Sequence, residues 1–588
     1  MNDQILIFAI LSTTLALFIW GRFRYDVIAL LALLAVALAG LLPVEAVFSG
    51  FGHPAVITVA AILVISQALT NAGIADVISR WLGAAGNNPF VHLVLLMITV
   101  VIASAFMNNV GALALLIPVA VRLARQSNYA PSRLLMPLAF GSLLGGMTTL
   151  IGTPPNIIVS TFRAEALGQP YNFFDYTPVG IGIAVACSAL IILGARWLLP
   201  ERKTASSAED LFQIEQYLLE VRVPEESKLA GQPLSAVSAS GVDVLVVGLL
   251  RNKKRIAAPS SYETLRAGDL LLVETNSANL EKFLEATGVE VEANPELGQE
   301  LLTSEDVSLH EVVVGTTSPL VGSTASELNI RWRYGVNLLA VARQGERIEE
   351  RLGNVVFRPG DVLLLQIKGR SAAETIRSMG VLPLAQRQLR LGVPRRLVVT
   401  ILIFAAAILA TALQLLPVQV AFTAAAVIMV MTGLINLREA YNAVEWPIIV
   451  LLGAMIPVGL ALEATGGAAT IANLIVVLGD RLPLWGTLAV LLIITMTLSD
   501  IVNNAATAVL MAPIAVGVAQ GIGGPVDAFL MAVAIGSSCA FLTPIGHQSN
   551  TLVMGPGGYH FGDYWKLGLP VQILLIIVAV PLLLIVWG

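Results

Sequence analysis

The sequence predicts a polytopic α-helical membrane protein built from two inverted repeats with re-entrant hairpins and broken helices, with two small α/β domains between the repeats. Three observations lead there. The 588 residues are 56% hydrophobic and only 12% charged, with a mean hydropathy of +0.81, against roughly 25% charged for an ordinary soluble domain. Charge density rises abruptly at Glu201 and falls after Arg396, which separates two apolar halves from a soluble insert. The halves also match in register: Ser104, Asn108, Asn109 and Pro118 recur as Ser499, Asn503, Asn504 and Pro513 at a constant offset of 395 (499 − 104, 513 − 118). Chance spacing does not hold such a register.

In chain order, the first half covers 1–199. Ile5 to Trp20, Val27 to Leu42 and Val179 to Leu198 are apolar runs that approach the roughly 20 residues a helix needs to cross the hydrocarbon core. The first run lacks a basic leader and a small-residue cleavage site, so it reads as a retained span. A hairpin is expected over about 89–126, a stretch read as too short for two full crossings. The Asn108-Asn109 pair at its middle needs a buried or watered environment, because irregular backbone exposed to lipid is excluded. Gly152-Thr153-Pro154-Pro155 then breaks a helix, since its prolines cannot continue one and its glycine permits unusual dihedrals. Cys187 and Cys539 lie in apolar stretches and read as packing residues without redox chemistry.

The insert reads as one unit repeated, over 200–300 and 301–390. Leu219-Glu-Val-Arg-Val, Val244-Leu-Val-Val-Gly and Arg266-Ala-Gly-Asp-Leu-Leu-Leu-Val are answered by His310-Glu-Val-Val-Val, Asn337-Leu-Leu-Ala-Val and Arg358-Pro-Gly-Asp-Val-Leu-Leu-Leu, a period of 92 (358 − 266). Each Gly-Asp precedes a strand-like run, a turn chemistry suited to hairpins. Across nearly the whole insert this pattern resembles the TrkA-C (RCK-C) domain. No G-x-G-x-x-G opens a helix in the insert, so no dinucleotide-binding module is expected, although paired domains of this kind leave room for a small regulatory ligand.

The second half, 391–588, starts with Leu397 to Leu415, has its hairpin at about 482–520 and ends with Val571 to Trp587. Gly546-His547-Gln548-Ser549 stands where the first half has Gly152-Thr153-Pro154-Pro155, at an offset of 394 (546 − 152). Five crossings per half put the second half in the opposite orientation to the first. Arg22, Arg24, Arg80, Arg122, Arg125, Arg133, Arg196, Arg396 and Arg438 fall on the side of the insert, with Arg163 and Arg481 as the exceptions. The insert is therefore expected in the cytoplasm, both termini outside, and the chain in a bacterial inner (plasma) membrane.

Two long pseudo-repeats with interrupted segments point to secondary transport, with the site at the repeat interface. Asparagine amides at each hairpin tip offer N–H to an oxyanion and a carbonyl to a cation. A half-helix N-terminus adds free backbone N–H groups and roughly +0.5 of a charge, which attracts an anion without lysine or arginine. Interhelical hydrogen bonding alone is the competing reading of such asparagines. Occurrence of both pairs in matching register favours the transport reading. His547 either touches the anion or is a structural histidine. Asp500 either serves a cation or is a buried hydrogen-bond partner.

The motifs resemble those of the divalent anion/sodium symporter family, whose hairpin tips carry Ser-Asn-Thr and whose broken helices carry Gly-Thr-Pro-Pro-Asn. The resemblance covers both apolar halves. It implies an elevator mechanism in which the hairpins and broken helices move against a homodimeric scaffold. It implies that Asn109 and Asn504 contact substrate and sodium, with Asn108 and Asn503 in place of the motif serines. Thr153, Gly152 and His547 join them toward the anion. Sodium is expected at Ser104, Asn108, Asn109 and Gly152 in one half and at Ser499, Asn503, Asn504 and Gly546 in the other. Val110 and Ala505 replace the motif threonines, which removes hydroxyl donors used on carboxylates and favours sulfate over a dicarboxylate. The expected function is sodium-coupled symport of a divalent anion in the lipid bilayer, with a sodium/dicarboxylate symporter as the alternative. No cofactor is implied beyond sodium as the coupling ion. A ligand-gated ion channel or potassium uptake protein would need a filter such as Thr-Val-Gly-Tyr-Gly, which is absent. An enzyme would need convergent catalytic groups, and the five histidines are scattered. Sparse basic residues in the apolar halves leave no footprint for nucleic acid.

Overall fold

Long apolar helices flank the insert in the computed structural model, which describes residues 3–20, 23–74, 88–127, 129–199, 218–239, 244–251, 254–257, 262–274, 277–291, 307–316, 318–348, 350, 352–368, 372–384, 394–467, 469–470, 482–544 and 546–588. The first half contains α1 (Asp3–Trp20), α2 (Tyr25–Leu38), α3 (Pro54–Asn71), α4 (Pro89–Phe106), α5 (Asn109–Gln126), α6 (Ser132–Gly146), α7 (Pro154–Leu167) and α8 (Thr177–Leu198). The second contains α9 (Pro394–Ala412), α10 (Val418–Met431), α11 (Trp446–Ala464), α12 (Leu484–Ser499), α13 (Asn504–Gly521), α14 (Val526–Ser537), α15 (Gln548–Gly557) and α16 (Tyr564–Trp587). The expected domain limits at 200, 300–301 and 390–391, and Arg22, Arg80 and Arg481, lie outside the described residues.

Sequence chemistry sets the helix ends. Asn88 caps α4 by accepting from Phe90 N at 2.9 Å, with Pro89 in the first turn, where its missing N–H costs nothing. Asn108 Oδ1 accepts from Val110 N at 3.3 Å and Asn503 Oδ1 from Ala505 N at 2.9 Å, so each Asn-Asn pair supplies the cap of the returning arm. Both arms of the first hairpin are 18 residues long. This corrects the expectation that 89–126 is too short for two full-length helices: the turn at Met107-Asn108 uses almost no chain.

Pro54–Asn71, Pro89–Phe106, Thr177–Ala195, Trp446–Ala464, Asn504–Gly521 and Phe561–Trp587 are long and apolar enough to span a bilayer. Leu38, Leu193, Met431 and Ile577 are exposed on the outer surface, too much apolar area for a water-facing shell. The interior joins the halves. Helix α13 packs on α7 and α11, while α15 packs on α5 and α6. Phe140 meets Phe541 edge-on at 5.0 Å. Tyr559 accepts from Met136 N at 2.9 Å and donates to Ser132 O. Cys187 and Cys539 are buried free thiols.

The insert forms two five-stranded antiparallel sheets, ordered β3-β2-β4-β1-β5 and β10-β6-β9-β7-β8. The strands are β1 (Leu218–Arg222), β2 (Leu245–Arg251), β3 (Lys254–Ala257), β4 (Leu270–Glu274), β5 (Glu290–Val291), β6 (Val307–Val314), β7 (Val336–Arg343), β8 (Glu346–Arg347), β9 (Val362–Lys368) and β10 (Val381–Pro383). Read from its other edge, the second sheet has the order of the first. Each Gly-Asp turn has the same construction. Gly268 and Gly360 take φ of +86° and +87°, which any Cβ disfavours. Asp269 and Asp361 each bond an arginine guanidinium, that of Arg251 or Arg343, and accept from Arg266 N or Arg358 N at 2.8 Å.

The second module rests on the helices. Arg125 at the end of α5 pairs with Glu311 of β6 at 2.7 Å, and Arg377 pairs with Glu439 at 3.0 Å. The Gly360 backbone lies so close to α15 that a Cβ at Gly555 would strike its carbonyl oxygen.

Candidate functional site

The hairpin turns meet the helix breaks, and the contacts made there occur twice. In the first half, Ser104 Oγ on the last turn of α4 lies 2.7 Å from Ser142 O and 2.7 Å from the Asn109 amide. The same end of that amide is 3.1 Å from Ser142 O and 3.2 Å from Gly152 O. With nitrogen there, the amide donates to its neighbours. With oxygen there, four oxygens face one another without a proton to share among them all, an arrangement that a bound cation would stabilise. In the second half, Ser499 Oγ lies 2.9 Å from Asn504 Oδ1 and 2.6 Å from Ser537 O. Hydroxyl, amide and backbone carbonyl recur at the same offset of 395 (537 − 142).

Close approach at these corners depends on missing side chains. A Cβ at Gly146 would strike the Asn109 amide, and one at Gly152 would strike Gly146 O. A Cβ at Gly546 would come within 3.0 Å of Ser499 O. Glycine therefore lets a helix break pass over each hairpin end.

Two further asparagines hold the breaks open. Asn156 Nδ2 donates to Thr149 O at 2.7 Å and Gly146 O at 3.2 Å. Asn550 Nδ2 donates to Thr543 O at 3.0 Å and Ala540 O at 2.7 Å. They satisfy carbonyls that a continuous helix would have bonded itself. Tyr176 and Tyr564 then donate to Asn156 O and Asn550 O at 2.7 and 2.6 Å. The halves touch at this level where Ser142 Oγ donates to Ser549 Oγ at 3.3 Å.

The structure thus brings Ser104, Asn109 and Gly152 together in one set and Ser499, Asn504 and Gly546 in the other. Asn108 and Asn503 sit one position earlier as caps. Thr153 is buried at the start of α7 but does not cap it through its side chain. His547 caps α15, its Nδ1 accepting from Ser549 N at 3.0 Å. Of the two readings left open for Asp500, the contacts match that of a buried hydrogen-bond partner. Oδ1 accepts from Leu542 N at 2.9 Å and Oδ2 from Gln572 Nε2 at 2.7 Å.

Several residues escaped the sequence reading. Asn156 and Asn550 stand in register in the sequence, at 394 (550 − 156) beside the glycines, but what they bond is not written there. The carbonyls of Ser142 and Ser537 carry no side-chain signal. Thr507, one turn into α13, has a buried hydroxyl, and Asn504 a buried Nδ2, without hydrogen-bond partners among the described residues. Glu445, at the start of α11, accepts from Asn108 Nδ2 at 3.3 Å, while its Oε2 is buried without a hydrogen-bond partner among the described residues. Nothing in the local sequence announces that contact across 337 residues.

The chain matches the family model described as citrate transporter, CitMHS, over residues 15–536. It is 33% identical to an uncharacterized transporter of Synechocystis, covering 99% of this chain and 96% of the relative. It is also 33% identical to the uncharacterized transporter YfbS of Escherichia coli, with 99% of each chain covered. A Chlamydomonas reinhardtii protein named probable sodium/sulfate cotransporter 3 is 22% identical over 90% of this chain and 82% of its own length.

Proposed function

Because this chain belongs to the CitMHS citrate transporter family, a family of transporters and not of enzymes, we propose that it is a sodium-coupled symporter of a small divalent anion, with sulfate as first substrate. The observation that carries this reading is the twofold set of Ser104, Asn109, Ser142 O and Gly152 O and of Ser499, Asn504 and Ser537 O. With the Asn109 oxygen turned inward, hydroxyl, amide and backbone carbonyls form a set of neutral hard oxygens, which suits a small cation better than a soft metal. Sodium enters as cargo at Ser104, Asn109 and Gly152, and at Ser499, Asn504 and Gly546. The anion takes amide N–H groups of the hairpin tips and faces the positive dipole ends of α7 and α15, with Thr153 and His547 beside them. The sodium/sulfate cotransporter similar to this chain supports sulfate, as does the replacement of both motif threonines by Val110 and Ala505. Citrate or a smaller dicarboxylate is the second reading, favoured by the family's description.

In this reading the halves are inverted repeats, and each hairpin enters and leaves the membrane on one side. Hairpins and broken helices travel as one body against a scaffold that pairs in a homodimer. The chain lies in a bacterial inner membrane with the insert, two domains of TrkA-C type, in the cytoplasm. Uptake of radiolabelled sulfate into proteoliposomes, with and without an inward sodium gradient, tests it. Sodium-driven uptake abolished by Asn109→Ala and by Asn504→Ala is the expected result. Uptake indifferent to sodium refutes the coupling, and uptake of citrate but not sulfate refutes the substrate.

A further inference from the structure

The two hairpin tips share their capping and serine–asparagine contacts, and they part at the amide nitrogens of Asn108 and Asn503. Asn108 and Asn503 use Oδ1 in the same way, as the cap of the returning arm. Their Nδ2 atoms differ. Asn503 Nδ2 has no partner among the described residues, whereas Asn108 Nδ2 donates to Glu445 Oε1 at 3.3 Å. Glu445 belongs to neither the hairpin nor the helix break. It stands at the start of α11, and α3, the corresponding helix of the first half, begins instead at His53, whose Nδ1 is occupied in capping Ala55 N at 3.2 Å. Asn108, Gly152 and Pro154 also line one small cavity with Ile448, three residues beyond Glu445. A carboxylate is therefore set against one of two otherwise equivalent amide donors, on the rim of the space where the first half's helix break opens.

We propose that Glu445 is a built-in rival of the transported anion for the Asn108 amide, making the arrangement with the hairpin tip beside α11 the low-affinity, releasing one. This rests on the reading that an anion binds at the hairpin tips. A carboxylate and a divalent oxyanion are both acceptors and cannot take the same N–H at once. When the hairpin leaves α11, Asn108 Nδ2 comes free like that of Asn503, and the anion regains a donor. Glu445 acts through Asn108 and so determines affinity on one side without taking part in the other.

The test uses the full chain in proteoliposomes with radiolabelled sulfate, measuring KM and maximal rate separately for entry from each face, in wild type and in Glu445→Gln. The glutamine keeps the size and one carbonyl for Asn108 but removes the charge. The expected result is a KM lowered about tenfold from one face only, equivalent to about 1.4 kcal/mol, with unchanged KM from the other face and slower turnover because release is retarded. In an Asn108→Ala background, Glu445→Gln should produce no further change. Equal KM shifts from both faces, or none, overturn the proposal while sulfate transport by wild type still stands. Wild type without anion transport overturns both this inference and the reading beneath it.

Discussion

At Asn156 and Asn550, a single amide replaces two backbone hydrogen bonds of a helix that has been interrupted. Asn156→Leu leaves Gly146 O buried without a donor and Thr149 O with only the long bond from Gly152 N at 3.4 Å, so it should lower stability by about 1–3 kcal/mol, read as earlier thermal unfolding in detergent. Asn550→Leu should do the same, since its contacts are equivalent. Asp500 gives a sharper prediction. Its carboxylate is occupied by Leu542 N and Gln572 Nε2, so Asp500→Asn should destabilise the chain yet leave the sodium dependence of uptake unchanged. A changed sodium dependence would return Asp500 to the ion site.

Among elements, the closest meeting of insert and helices is between the Arg358-Pro-Gly-Asp turn and α15. Gly555→Val would push the turn away, because even a Cβ there strikes Gly360 O. Overpacking of this kind costs about 1–3 kcal/mol, and faster hydrogen exchange in β6 and β9 would register it. Within the second module, the hydrogen bond from Asp361 holds the Arg343 guanidinium above its usual range despite partial desolvation. A raised pKa stabilises the fold fully below the unfolded value and loses that contribution only as pH climbs through the folded one. Titration of Arg343 therefore leaves stability unchanged through neutral pH. Arg343→Ala leaves Asp361, only 1% exposed, without its counter-charge, and should destabilise the module by about 3 kcal/mol. The hydrogen exchange of β7 and β9 in the full chain measures it.

Across the whole molecule, the second module holds two groups of helices at once. Arg125–Glu311 and the Gly360–Gly555 contact fasten it to α5 and α15, while Arg377 reaches Glu439 at 3.0 Å and Asn71 at 3.3 Å. The arginine of the second attachment is half exposed, and a surface pair of that kind is worth about 0–1 kcal/mol. On the moving-body reading, that attachment breaks in every cycle. Arg377→Ala should then raise transport turnover with little change in thermal stability. Unchanged turnover would mean that the helices do not separate there.

Sequence alone determined the apolar halves, the insert with its 92-residue period, and the alignment of Ser104, Asn109 and Gly152 with Ser499, Asn504 and Gly546. Those features are periodic or composed of residues that break helices, so each is written locally in the chain. It misjudged the length of the hairpin arms, because capping by Asn108 lets the chain reverse in almost no space. Only the tertiary structure decided which carbonyls meet the asparagines, that Asp500 bonds Gln572, and that Glu445 stands against one hairpin tip and not the other. Those contacts join residues 72 and 337 apart. They depend on how packed helices converge, a three-dimensional sum that no local pattern of side chains records.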